Sequence, residues 1–311
     1  MNYGFMKVAT GVPVAKVADC AFNVQQIETI IAQAEGKGTE IICFPELCIT
    51  GYTCQDLFSQ QLLLDEAETA LLKLLDFTRS LDIISIVGLP VPVGGLLLNC
   101  AAVIHKGSLL GLVAKTYLPN YKEFYEKRWF TSAKDISSVD VRIAGQTVHL
   151  SSGTTLFRTG DGALFGVEIC EDVWAVTPPS NRLALAGAEL IFNLSASNEL
   201  IGKHSYLMSL LSQQSARTMT AYIYSGCGYG ESTQDVVYGG NGFIYENGVL
   251  LSRSERFSFK QQLVIGQVDI ERLHTERRLN STFAASQCGI SADVIIDAKP
   301  VTPRDFELIR S

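Results

Sequence analysis

Helical and extended patterns alternate along the chain, which is typical of a mixed α/β protein. Apolar residues recur at helical spacing between positions 27 and 34, which predicts a helix headed by Asn23 and ended by Gly36. Continuous apolar runs predict buried strands instead. The predicted helices cover residues 23–36, 56–81 and 203–218, with another after Pro178, and the predicted strands cover residues 8–14, 40–44, 83–89, 96–105, 109–114, 164–169, 189–194, 221–224, 242–245 and 249–252. Both halves mix the two patterns, which favours one α/β domain with sheets buried under helices.

Two local signals refine these strands. Pro13 cannot donate a hydrogen bond to a neighbouring strand, so we predict that the strand over residues 8–14 lies at a sheet edge. The dipeptide Asn247-Gly248 predicts a type I′ turn that joins the last two predicted strands.

An uncharged segment of 22 residues, from 83 to 104, raises the question of a membrane span. It contains Pro90, Pro92 and several glycines, which interrupt any continuous helix. We therefore predict a strand, a turn over residues 90–95 and a second strand. Because the N-terminal region also lacks the pattern of a signal peptide, we expect a cytoplasmic protein that does not bind membranes.

Composition excludes several classes of partner. The chain has 25 Lys and Arg against 32 Asp and Glu, a net charge of −7, so there is no basic excess to bind nucleic acid. Among its eight cysteines, Cys43, Cys48 and Cys54 are separated by four and five intervening residues and have no neighbouring histidine. This spacing argues against zinc, so we expect reduced thiols and no metal.

Three ionisable residues follow predicted strands directly or nearly so: Glu46, Lys115 and Cys170. Each alone is more typical of a solvated strand end or a buried thiol. Strand ends of an α/β sheet, however, meet in one crevice, which is the usual ligand site. There the three would supply a base, a cation and a nucleophile, which together predict attack of a thiolate on a carbonyl group.

At these residues the chain resembles the nitrilase, or carbon–nitrogen hydrolase, superfamily, and within it the N-terminal glutaminase domain of glutamine-dependent NAD synthetases. The resemblance extends from Val8 to about Ala285. It is carried by the segments FPELCITGYTCQDLF (44–58), KTYLPNYKEFYEKRWF (115–130), GVEICEDVW (166–174) and NLSASNE (193–199). It implies a four-layer α-β-β-α sandwich and a homo-oligomer that pairs through outer helices.

The resemblance also implies roles for the three residues. Glu46 is expected to be the general base, and Cys170 the nucleophile that forms a thioester with glutamine. Lys115 and the backbone N–H of Glu171 are expected to stabilise the oxyanion. A second, positioning glutamate next to the lysine is assigned to Glu123, with Glu126 as the alternative.

Contacts with the substrate are implied less directly. Glu171 is expected to bind the α-ammonium group of glutamine. Ser197 and Tyr121 are expected to be polar contacts, and Phe124 and Tyr52 walls of the pocket. Ordinary aromatic packing is the alternative for the three aromatic residues, and for Tyr52 the two interpretations are equally supported.

We expect residues 1–285 to form the hydrolase domain and residues 286–311 an arm towards an absent synthetase domain, with residues 298–303 resembling a linker. No SGGxDS motif for an ATP pyrophosphatase occurs in the sequence. The hydrolase domain is therefore expected to need no cofactor, whereas ATP and Mg belong to the absent domain. Two alternatives stay open: a stand-alone amidase, nitrilase or carbamoylase with another substrate, and an inactive scaffold for a synthetase partner.

Overall fold

The computed structural model describes residues 4–301 and 307–310. The helices are α1 (Cys20–Gly36), α2 (Gln61–Phe77), α3 (Pro179–Leu185), α4 (Lys203–Thr218), α5 (Ile270–Leu279) and α6 (Ser281–Gln287). The strands are β1 (Phe5–Val12), β2 (Ile41–Cys43), β3 (Ile84–Val93), β4 (Leu96–His105), β5 (Ser108–Ala114), β6 (Val139–Ile143), β7 (Gln146–Leu150), β8 (Thr155–Arg158), β9 (Leu164–Ile169), β10 (Leu190–Ser195), β11 (Ala221–Gly226), β12 (Gly242–Glu246), β13 (Val249–Arg253), β14 (Gln262–Asp269) and β15 (Val294–Asp297).

The strands form two mixed sheets that face each other. Sheet A has the order β14-β1-β2-β3-β4-β5-β7-β6, and sheet B has the order β13-β12-β11-β10-β9-β8-β15. Apolar side chains such as Ile41 and Val103 of sheet A and Phe165 and Ile223 of sheet B share one buried cluster. The space between the sheets is therefore a core, and both sheets need nearly continuous apolar strands.

Helices cover the outer face of each sheet. Ile27 of α1 and Leu71 of α2 pack on sheet A, whereas Leu207 and Leu211 of α4 pack on sheet B. The result is the four-layer α-β-β-α sandwich, so the predicted fold class is confirmed. Within residues 4–301 and 307–310, every helix is too short or too polar to cross a lipid bilayer.

Two boundary predictions at the N-terminus are wrong. β1 is not an edge strand, because it pairs with β14 on one side and with β2 on the other, and Pro13 lies just beyond its end. Helix α1 begins before Asn23, since Asp19 caps it by accepting the N–H of Phe22 at 3.0 Å. The Asn23 side chain is buried instead and donates to the carbonyl groups of residues 16 and 49.

The uncharged segment forms the hairpin of β3 and β4, but its predicted turn is too long. Pro90 and Pro92 lie within β3, and the turn contains only Gly94 and Gly95. The prolines are tolerated because β2 pairs with β3 no further than Ile86, so β3 has β4 as its neighbour beyond that point. The predicted helix over residues 56–81 is also shorter, since 3₁₀ turns occupy Gln55–Ser59 and Thr78–Ser80.

Other predictions are confirmed. Helix α4 has the predicted bounds, and Asn247 and Gly248 have positive φ angles of 45° and 86° in the turn between β12 and β13. Strands β6–β8, β14 and β15 and helices α5 and α6 had not been predicted. Of these elements, β6, β7, α5 and α6 carry many polar residues at exposed positions, which weakens the apolar pattern.

Part of the predicted C-terminal arm belongs to the fold. β15 pairs in parallel with β8 at the edge of sheet B. Residues 302 and 303 of the predicted linker lie outside the described residues. Further on, Arg310 donates to both carboxylate oxygens of the buried Glu246, at 2.6 and 2.9 Å. The domain boundary at residue 285 and the function of the arm stay predictions.

Candidate active site

The three predicted reactive residues lie close together where strands of the two sheets end. Glu46 follows β2 after two residues, Lys115 follows β5 directly, and Cys170 follows β9 directly. The side chains of Glu46 and Lys115 are fully buried, and Cys170 is 6 % exposed. The sandwich therefore brings a base and a cation from sheet A next to a thiol from sheet B.

Lys115 is the centre of a buried charged network. Its Nζ donates to Oε1 of Glu46 at 2.6 Å and to both carboxylate oxygens of Glu126, at 2.7 and 2.9 Å. Burial alone lowers the pKa of Lys115, but the carboxylates of Glu126 and Glu46 outweigh this and hold it well above the ordinary value. The lysine is therefore a positive charge buried from solvent.

Glu46 keeps one carboxylate oxygen free within this network. Its Oε1 also accepts Nδ2 of Asn99, at 2.6 Å, whereas its buried Oε2 has no hydrogen-bond partner among the described residues. A buried carboxylate oxygen without a donor is costly unless a function uses it. Oε2 is suited to accept a proton.

The glutamate beside Lys115 is Glu126, so the assignment of Glu123 to that place is wrong. Glu123 is held away from the lysine, with its Oε1 accepting Nδ2 of Asn198 at 2.6 Å. Burial raises the pKa of Glu126 to about 7, with Lys115 opposing and Glu46 adding to the rise. Burial is the largest cause of the raised pKa because it penalises the charged form, and the neighbouring Glu46 carboxylate, which shares the same ammonium group, adds to it.

Cys170 combines a strained backbone with a thiol whose pKa is raised. Its φ angle is +46°, which is unusual for a residue with a Cβ, and its N–H donates to Oδ1 of Asn193 at 3.2 Å. Burial and the Glu46 carboxylate raise the pKa of the thiol, and Lys115 opposes the rise only in part. Attack by sulfur therefore has to be coupled to proton transfer to a base.

We call Glu46, Asn99, Lys115 and Glu126, with Tyr52, the inner network. Tyr52 donates its hydroxyl to Oε1 of Glu126 at 2.7 Å, so it is more than a wall of packed atoms. Asn99 was missed by sequence reasoning, although a signal existed. It is the amide side chain within the apolar run that precedes His105 in β4, and a buried amide needs a polar partner.

A second group of residues lies nearer the surface than the inner network, and two of its members, Tyr121 and Lys203, are close enough to Cys170 to interact with it electrostatically. We call Tyr121, Glu123, Phe124, Glu171, Asn198 and Lys203 the outer rim. Tyr121 is 50 % exposed and donates its hydroxyl to Oε1 of Glu171 at 2.7 Å. Its ring meets that of Phe124 edge to face, with centroids 6.2 Å apart. Burial raises the pKa of Glu171, and Lys115 and Lys203 oppose the rise.

Lys203 is a cation of the rim that the sequence did not reveal. Its Nζ donates to Oδ1 of Asn198 at 2.6 Å and lies 5.8 and 5.4 Å from the ring centroids of Phe124 and Trp174. Burial lowers the pKa of Lys203, whereas the Cys170 and Glu123 side chains oppose the change. At the first position of α4, it gave no sign in the sequence of being near the thiol.

The remaining predicted contact residue, Ser197, is buried close to Tyr224, whose hydroxyl donates to Oγ of Ser195 at 2.7 Å. A small cavity of about 50 Å³ is lined by Tyr52 together with Glu123 and Phe124. Among residues 4–301 and 307–310, no group of three or more His, Cys, Asp or Glu is placed to hold a metal ion. The arrangement can perform acyl transfer by a thiol, with a buried base and a fixed cation.

Comparison with known proteins agrees with this chemistry. The family model described as "Carbon-nitrogen hydrolase" matches residues 8–278. The glutamine-dependent NAD(+) synthetase of Mycobacterium tuberculosis is 38% identical over 284 residues, which cover 91% of this chain and 42% of that protein. The chain therefore spans less than half the length of such curated relatives.

Solved structures give the same result for the fold. The glutamine-dependent NAD(+) synthetase from Cytophaga hutchinsonii superposes with a TM-score of 0.76 and 29% identity, over 85% of this chain and 43% of that one. A carbon-nitrogen hydrolase from Helicobacter pylori superposes with a TM-score of 0.70 and 19% identity, over 92% of this chain and 96% of that one. At that identity, the second match concerns the fold alone.

Proposed function

We propose that this chain, which belongs to the carbon–nitrogen hydrolase family, hydrolyses the side-chain amide of glutamine to glutamate and ammonia. The observation that carries the proposal is the free Oε2 of Glu46 in a buried network with Lys115, beside the thiol of Cys170. These groups supply the base, the fixed cation and the nucleophile that thioester chemistry requires.

The first half of the reaction forms the thioester. Glu46 accepts the proton of the Cys170 thiol, and the sulfur attacks the carboxamide carbon of glutamine. Lys115 and the backbone N–H of Glu171 stabilise the oxyanion that develops on the carbonyl oxygen. When the C–N bond breaks, Glu46 returns the proton to the amide nitrogen, and ammonia leaves.

The second half cleaves the thioester with water. Glu46, again ionised, accepts a proton from the attacking water, and the oxygen bonds to the acyl carbon through a second oxyanion. The C–S bond then breaks and releases glutamate, and the thiolate of Cys170 recovers the proton from Glu46. Glu126 and Asn99 hold the lysine and the base in place during both halves.

The outer rim supplies the groups that recognise glutamine. The Glu171 carboxylate is suited to the α-ammonium group, and the Lys203 ammonium is suited to the α-carboxylate. Tyr121 and Ser197 provide hydroxyl groups, and Phe124 borders the aliphatic part of the substrate. Because recognition uses both charged groups of the amino acid, simple amides are expected to be poor substrates.

The wider role follows from the relatives. Proteins similar to this chain are named glutamine-dependent NAD(+) synthetases and are more than twice its aligned length. We propose that ammonia passes to a synthetase domain that amidates deamido-NAD and uses ATP and Mg. Residues 286–311 lead towards that partner, the outer helices pair two hydrolase domains, and the assembly works in the cytoplasm.

The direct test is to measure ammonia and glutamate after incubation with glutamine, in parallel with Cys170→Ala. We expect equimolar products from the wild type and none from the variant, because alanine cannot form the thioester. Cys288→Ser, which alters an exposed thiol, is the matched control and should retain full activity. Turnover that survives in Cys170→Ala would refute the mechanism, and equal turnover of asparagine or acetamide would refute the glutamine site.

A further inference from the structure

A buried carboxylate joins the two backbone segments that carry Lys115 and Cys170. Asp172 is 1 % exposed, and its Oδ2 accepts the N–H of Ile169 at 2.9 Å. Its Oδ1 accepts the N–H groups of Tyr117 at 2.8 Å and Thr116 at 3.2 Å. Ile169 precedes the nucleophile directly, and Thr116 follows the lysine directly.

These hydrogen bonds cross from one sheet to the other. Lys115 follows β5 of sheet A, and Cys170 follows β9 of sheet B, so the chain itself does not fix the separation of the two side chains. One carboxylate that accepts from both segments does fix it. The same carboxylate also stabilises the 3₁₀ turn Cys170–Trp174, whose first residue has the strained φ angle.

We propose that Asp172 is a positioning residue that sets the placement of the Cys170 sulfur relative to the Lys115 ammonium for the proposed amide hydrolysis. Asp172 itself touches neither sulfur nor substrate in this role; it acts through the backbone on either side of them. Because a displacement of about 1 Å at a reacting group costs on the order of 100-fold in rate, the effect of losing this bridge falls on the chemical step.

Two substitutions separate the two sides of the bridge. Asp172→Asn keeps an oxygen for Thr116 and Tyr117, while its NH₂ group faces the N–H of Ile169. Asp172→Leu has the same branching at Cγ, with a larger volume, and accepts from neither segment. We expect kcat for glutamine to fall about tenfold in the first variant and about 100-fold in the second, with KM within about threefold of the wild type.

A second measurement does not depend on the proposed function. In a Cys288→Ser background, the rate of Cys170 alkylation by iodoacetamide at pH 9 can be followed by mass spectrometry without any substrate. We expect the alkylation rate to fall in both variants, less in Asp172→Asn than in Asp172→Leu. If the wild type shows no glutaminase activity but alkylation still falls in this order, the proposed function fails and the positioning role stands.

The matched control is Glu35→Gln. Glu35 also joins two segments by accepting two backbone N–H groups, of Asp82 at 3.1 Å and Ile83 at 3.0 Å, but it belongs to the outer helix α1. It should leave kcat and Cys170 alkylation unchanged. Equal losses in Glu35→Gln and Asp172→Asn, unchanged alkylation in Asp172→Leu, or failure of Asp172→Asn to fold as judged by circular dichroism would each overturn the proposal.

Discussion

Glu123 and Glu126 are three residues apart, yet they lie in parts of the site with opposite physical character. Glu126 is 1 % exposed and receives three hydrogen bonds, two from the Lys115 ammonium and one from the Tyr52 hydroxyl. Glu123 is half-buried at the outer rim and receives a hydrogen bond from the neutral Asn198 amide. The first carboxylate belongs to a network buried from bulk solvent, and the second to a surface that solvent reaches.

This difference separates chemistry from recognition. In the inner network, each charge is held by others at fixed distances, so the groups need no reorganisation when the oxyanion forms. At the rim, Tyr121 and Glu171 remain partly exposed and can adjust to a ligand. We therefore expect substitutions in the inner network to lower kcat and those at the rim to raise KM.

The largest effect is expected for Lys115→Met. This change removes an oxyanion donor and leaves two buried carboxylates without a cation, so kcat should fall about 1,000-fold. The unfolding free energy should also fall by about 3–5 kcal/mol, the usual cost of removing one partner of a buried ion pair. The measurements are ammonia release and urea denaturation.

Lys127→Met provides the control for that variant. Lys127 lies close in the sequence, but it is exposed. Its loss should therefore change neither kcat nor the unfolding free energy by a measurable amount. Similar losses of activity in the two lysine variants would contradict the special role of the buried ammonium group.

The pair Glu126→Gln and Glu123→Gln tests the comparison directly. Glu126→Gln weakens the hold on Lys115, so we expect kcat to fall about 100-fold with little change in KM. Glu123→Gln keeps an amide oxygen for Asn198 and should leave kcat within about twofold. Steady-state kinetics on both variants decides the point, and a larger loss of kcat in Glu123→Gln would reverse the assignment.

The raised pKa of Glu126 adds a pH dependence of known sign. The folded protein holds this proton up to about pH 7, whereas the ordinary value is 4.5, so ionisation of Glu126 destabilises the fold as the pH rises between these values. Glu126→Gln lacks this ionisation. The unfolding free energy of the wild type, measured by urea denaturation, should therefore fall from pH 5 to pH 8 relative to that of Glu126→Gln. If the difference between the two proteins stays constant over this range, the pKa of Glu126 is not raised.

The smallest of these effects belongs to the rim. Lys203→Met should raise KM for glutamine about tenfold and leave kcat within about threefold, because a charge-assisted hydrogen bond to the substrate carboxylate is lost. For glutaminamide, which lacks that carboxylate, the wild type and Lys203→Met should have nearly the same KM. If Lys203→Met lowers kcat and leaves KM unchanged, the lysine does not belong to the recognition surface.

Local patterns in the sequence determined much of the architecture. Helix α4 and the Asn247-Gly248 turn follow from residue spacing and from the tolerance of Asn and Gly for positive φ angles. The uncharged segment from 83 to 104 forms interior strands, because a sheet covered on both faces needs apolar residues throughout. Glu46, Lys115 and Cys170 were recognisable because each follows such a strand.

Contacts between distant segments were decided only by the tertiary structure. Pro13 wrongly indicated an edge strand. β1 has β2 on one side, and its other side is covered by β14, which lies about 250 residues further along the chain. The segment around Glu123 and Glu126 has no regular period, so spacing could not tell which carboxylate faces Lys115. Its path depends on hydrogen bonds such as that from the Glu126 N–H to the carbonyl group of Pro119.

The same limit applies to the residues that hold the site together. Asn193 accepts the N–H of Cys170 from within β10, and Asp172, in the turn that Cys170 begins, accepts from Ile169 and from the segment that follows β5 of the other sheet. Residue types and spacing along the sequence predict which chemical groups reach a strand end. The distances between them are fixed by how two sheets pack, which depends on the whole core and not on any single segment.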